Sequence, residues 1–153
     1  MYGSVLVVLS TLELFGNSAD PQLGKAAPGL PKAEAEMADL SGYYTCKGKE
    51  AGGKAYSGIC VLTKKNEVYL IQWVVGNGSN FNGIAIRQGS TLAASWSIVS
   101  DRGIVRGVNM YKIESTNNGA KLTGRWASVP GPGVQQTETL SFLKKLDTEE
   151  EEQ

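Results

Sequence analysis

Tyr56-Ser57-Gly58-Ile59-Cys60-Val61-Leu62-Thr63-Lys64-Lys65-Asn66-Glu67-Val68-Tyr69-Leu70-Ile71-Gln72-Trp73-Val74-Val75 reads as a β-hairpin. Two runs rich in β-branched and aromatic residues flank Lys64-Lys65-Asn66-Glu67, a polar break of hairpin-loop length, and neither run has helical spacing. The same grammar extends in both directions. Apolar runs near 42–47, 56–63, 68–75, 83–88, 91–99, 104–114, 121–128 and 137–145 alternate with turn-forming joints such as Gly52-Gly53, Gly76-Asn77-Gly78, Asp101-Arg102-Gly103, Asn117-Asn118-Gly119 and Pro130-Gly131-Pro132-Gly133. Joints this short cannot make parallel crossovers, so each strand should pair antiparallel with the next. The expected fold is all-β, an eight-stranded antiparallel up-and-down barrel.

Alternation with period two identifies the inner face. Leu92, Ala94, Trp96 and Ile98 share one face of the fifth strand, and Leu122, Gly124 and Trp126 share one face of the seventh. Tyr69, Ile71 and Trp73 align in the third strand, as do Leu140 and Phe142 in the eighth, so all three tryptophans should point inward. An eight-stranded barrel has an interior that side chains can just fill, or that can hold one small ligand. Tyr44, Tyr69, Trp73, Phe81, Trp96 and Trp126 are the candidate ligand-binding residues, with Gly76 to Asn82 as a polar loop that could act as a lid carrying Phe81. If the first hairpin turns about Gly53, Cys46 faces Cys60, which predicts a disulfide contributing about 3 kcal/mol through loop entropy.

The 153 residues carry no net formal charge, but the charge is segregated. Residues 41–147 hold nine lysines and four arginines against six acids, a net of +7, while residues 1–40 carry −3 and residues 148–153 carry −4. We read residues 1–19 as a signal-peptide-like apolar segment, 20–40 as a flexible linker, 41–147 as the barrel domain and 148–153 as an acidic disordered tail. This organisation predicts an exported protein, periplasmic or extracellular. The apolar segment is too short to span a bilayer.

Histidine is absent, which removes the commonest general base and the commonest metal ligand, and there is no nucleophile elbow, Walker loop or Cys-x-x-Cys. No catalytic residue, metal site or cofactor is expected. The basic residues near the strands lack exposed aromatics for base stacking, so nucleic acid is not an expected partner. Two functions remain: a structural or interaction module whose aromatic rings fill the interior, which the sequence favours, and a small-molecule-binding barrel whose rings wall a pocket. The corresponding partners are an extracellular protein or a small apolar molecule.

The order Gly42-Tyr43-Tyr44, Tyr56-Ser57-Gly58-Ile59-Cys60, Ala94-Ser95-Trp96 and Gly124-Arg125-Trp126 resembles the motifs of avidin and streptavidin barrels, within the wider calycin group, over roughly residues 42–145. The resemblance implies a pocket walled by Trp96 and Trp126. Where that family holds the ureido ring of biotin with polar side chains, this chain has Cys46, Cys60 and, near the last-strand position, Leu140, so biotin is not the expected ligand. The pattern is also similar to small exported bacterial barrel proteins, some of them labelled fibronectin-binding.

Overall fold

The computed structural model describes residues 39–147; the signal-peptide-like segment, the linker up to residue 38 and the acidic tail lie outside the described residues. Among the described residues eight strands follow one another without helices: β1 (Gly42–Lys49), β2 (Ala55–Lys65), β3 (Val68–Val75), β4 (Ser79–Gln88), β5 (Thr91–Ser100), β6 (Gly103–Thr116), β7 (Gly119–Val129) and β8 (Gln136–Lys144). Each pairs antiparallel with the next, and β8 pairs with β1, so the meander closes into a barrel with no free edge. The opening hairpin forms as expected, with a tighter loop. Lys65 pairs with Val68, leaving only Asn66 and Glu67 to turn, and Asn66 takes the left-handed conformation (φ 56°) that its short polar side chain tolerates.

The inward faces on β3, β5, β7 and β8 are those the alternation indicates, with Trp73 buried and Trp96 and Trp126 half-buried. On β4 and β6 the outer face is also apolar, with Ile84, Ile86, Val108 and Met110 all more than half exposed. Sequence expectations fail at the lid loop and at the disulfide. The proposed lid loop is mostly strand: only Gly76–Gly78 turns, and Phe81 lies in β4 directly opposite Trp73. The disulfide is absent, and both thiols are free. The first hairpin turns about Gly52 rather than Gly53, because Glu50 and Lys54 close the loop through a backbone hydrogen bond of 2.8 Å. Moving the turn centre by one residue moves the pairing by two. Cys60 therefore faces Tyr44 and Cys46 faces Gly58; both cysteines stay inside, but as diagonal neighbours, whose backbones stand about 7–8 Å apart, beyond the usual reach of a disulfide.

The barrel is closed at one end. Leu40, expected to belong to the linker, is only 2% exposed and plugs the end that carries the β2–β3 turn. Its carbonyl accepts a 2.7 Å hydrogen bond from the Tyr44 hydroxyl, and its N–H donates to Tyr69 Oη at 3.3 Å. Tyr69 in turn donates to Asp39 Oδ1 at 3.1 Å, and Ser41 binds the same oxygen through its backbone N–H and its hydroxyl. Burial pushes the Asp39 carboxyl up, but these bonds and the nearby Lys64 charge outweigh it and hold the group below its ordinary value. Beneath the plug, Leu62, Ile71, Leu92, Ile113, Leu122 and Leu140 pack as an apolar core.

Because Leu40 is part of that core, Leu40→Ala should cost about 2–5 kcal/mol, as a buried leucine truncation does. Chemical denaturation of the two proteins checks this, and an unchanged midpoint would mean that the plug is not part of the cooperative unit.

Candidate functional site

The half of the barrel away from the plug is built differently. There the inward positions of five strands are glycines: Gly48, Gly58, Gly83, Gly107 and Gly124. Their pairing explains them. One row across the sheet runs Tyr56 (β2), Gly48 (β1), Glu138 (β8), Gly124 (β7) and Tyr111 (β6), each directly opposite the next. Glu138 is thus flanked by two residues without side chains. Each tyrosine leans across its glycine into the space left free: a Cβ on Gly48 would strike the Tyr56 hydroxyl, and one on Gly124 would strike the Tyr111 ring. Trp96 sits similarly between Gly83 and Gly107, with its indole lying against Gly107.

The glycine slot lets donors converge on a carboxylate that is only 4% exposed. Glu138 Oε2 accepts from the Tyr56 hydroxyl at 2.6 Å and from Cys46 Sγ at 3.3 Å. Oε1 accepts from Trp73 Nε1 at 3.2 Å, from Asn109 Nδ2 at 3.1 Å and from the Tyr111 hydroxyl. Asn109 extends the network by accepting a 2.7 Å bond from Trp96 Nε1. A buried carboxylate needs such satisfaction, because desolvating it without partners would cost several kcal/mol. The field of Glu138 reaches its neighbours. Burial and then the Glu138 charge push the Cys46, Cys60, Tyr56 and Tyr111 groups up, so all four stay protonated at neutral pH.

Above Glu138 the barrel is hollow. A cavity of about 460 Å³ opens between the β1–β2 and β3–β4 turns, with Glu138 and Asn109 among its polar lining and Lys54 and Glu50 from the β1–β2 turn. Its walls are aromatic. Phe81 meets Trp96 edge-on (centroids 5.0 Å, 76°), Trp96 meets Trp126 at 6.3 Å and 60°, and Trp126 meets Tyr56 at 6.5 Å and 63°. The buried Nε1–H of Trp126 makes no hydrogen bond.

Of the six residues that the sequence nominates, Trp73, Phe81, Trp96 and Trp126 line the cavity, while Tyr44 and Tyr69 belong to the plug at the other end. Sequence reasoning missed Glu138, Tyr56, Asn109 and Tyr111. Glu138 shares the parity of Leu140 and Phe142 in β8, which is the signal that could have placed it inside.

No protein-family model and no curated protein matches the chain. Among solved structures the chain is similar to a redesigned β-barrel, mFAP1, bound to DFHBI, with 15% sequence identity, 67% of this chain and 94% of that chain covered, and a TM-score of 0.49.

Two outcomes are expected from this arrangement. Unreduced protein should carry two free thiols by mass, and in the folded state both should alkylate far more slowly than after unfolding, since thiols with raised pKa behind a barrel wall offer almost no thiolate. Gly48→Ala and Tyr56→Phe should each lower stability by about 1.5–3 kcal/mol, the range for hydrogen bonds to charged groups. The double variant should cost little more than either, because both changes remove the same bond; additive losses in denaturant titrations would refute the slot.

Proposed function

We propose that the protein is a non-enzymatic small-molecule-binding barrel that works outside the cytoplasm. The observation that carries the reading is the open, aromatic-walled cavity of about 460 Å³ with polar groups converging at its base. Ligand sites have this character: concave, several hundred Å³, mostly apolar, with a few oriented polar groups. A core merely filled by aromatic rings, the reading that the sequence favoured, would leave no such space.

The avidin-like order of motifs supports a ligand resting against Trp96 and Trp126, whose rings adjoin in the cavity wall. The site chemistry is the chain's own: a glutamate from β8 with tyrosine, indole, amide and thiol donors around it. Non-enzymatic action is supported by the absence of histidine and by thiols and phenols whose protons are held tightly. Export rests on the apolar segment at residues 5–9 followed by small residues.

Screening a panel of planar aromatic compounds of mixed charge by thermal shift and tryptophan fluorescence tests the reading. At least one compound should raise the thermal midpoint and quench emission, and Trp96→Ala should abolish that quenching. A panel in which nothing binds the wild-type protein would defeat it.

A further inference from the structure

We propose that the cavity is selective for organic cations, a ligand class that deepens the binding reading above and rests on it. The charges around Glu138 do not balance. All five hydrogen-bond donors to Glu138 are uncharged: a thiol, two phenols, an indole and a carboxamide. The ion pairs among the described residues, Lys112–Glu114 and Lys144–Asp147, lie on the surface and leave this carboxylate without a counter-charge. Lys54, the basic residue of the cavity lining, comes from the mouth turn, where the acid Glu50 of the same turn accompanies it.

Hydrogen bonds from neutral groups stabilise an anion locally, but they do not neutralise it. Burial first, and the Glu138 charge second, raise the proton affinity of Tyr56, Cys46, Cys60 and Tyr111, and because the five donors that converge on Glu138 carry no positive charge, the base of the barrel is left with a net negative charge. A neutral apolar guest entering the cavity would displace water and leave that charge unscreened, whereas a cationic guest would complement it.

The walls point the same way. Phe81, Trp96, Trp126 and Tyr56 succeed one another at interplanar angles of 60–76°, so they do not stack flat on each other. Rings tilted steeply in succession turn faces and edges toward a shared space, as in aromatic cages for quaternary ammonium groups. Tryptophan is the best of the cation-binding rings, and three line this cavity. At about 460 Å³ the space accommodates a cation carried on a fused-ring or similarly sized body, larger than a simple ammonium ion.

The test compares two probes of one size and shape with the wild-type protein by calorimetry: N-methylquinolinium, permanently cationic, and quinaldine in alkaline buffer, where its ring nitrogen is unprotonated. The cation should bind at least about tenfold more tightly, within the range of cation–π contacts that are desolvated. In Glu138→Gln, which keeps the size and an acceptor oxygen, the preference should fall to about twofold or less. Should that variant fail to fold, the wild-type ratio decides alone. Quinaldine binding as well as or better than the cation would overturn the charge selectivity while leaving a working ligand site. Failure of both probes would also overturn it, and the compound panel then decides separately whether the cavity binds small molecules at all.

Discussion

A carboxylate inside a barrel has to be surrounded by donors, and donors need room to reach it. Most of the open half of this protein follows from that constraint. Glu138 stands on β8 with Gly48 on one side and Gly124 on the other, and the missing side chains are what allow Tyr56 and Tyr111 to lean inward over them. The glycines that make the slot also thin the barrel wall, so the same substitutions that satisfy Glu138 leave the interior above it unfilled. Buried charge, glycine row and cavity are therefore one solution to one problem.

The two ends of the barrel divide the work. At the closed end, large apolar side chains on the inward positions of β2, β3, β5, β6, β7 and β8 pack beneath Leu40, and two tyrosines tie the plug to the strands through its backbone. At the open end the tyrosine hydroxyl serves a side-chain acceptor instead, and aromatic rings stand against glycines rather than against leucines. One residue type thus has opposite consequences. Tyr44 helps to close the barrel, and Tyr56 helps to hold it open.

The fold was legible because eight apolar runs with turn residues between them admit few topologies. Inward faces were legible wherever the outer face is polar, as with Lys121, Thr123 and Arg125 on β7. On β4 and β6 that contrast fails, because Ile84, Ile86, Val108 and Met110 point outward, and Asn109 went unrecognised between two apolar neighbours. The site was only half legible. Tryptophans announce themselves, whereas Glu138 between two threonines resembles an exposed strand end. Its role depends on the β8–β1 closure, where residues from opposite ends of the domain pair and no local turn dictates the register. The cysteine pairing failed for a related reason: the centre of a five-residue turn rich in glycine is set by backbone hydrogen bonding between Glu50 and Lys54, which composition does not reveal.

The plug also fixes an orientation. Asp39 and Leu40 enter the barrel at the closed end, and β8 finishes beside them, with Lys144 paired to Tyr43. The mouth lies at the opposite end, between the β1–β2 and β3–β4 turns. A bead, a sensor surface or a fused partner joined directly at residue 39 or residue 147 would thus lie at the closed end with the opening turned away from it, and solutes would reach the cavity without passing the point of attachment.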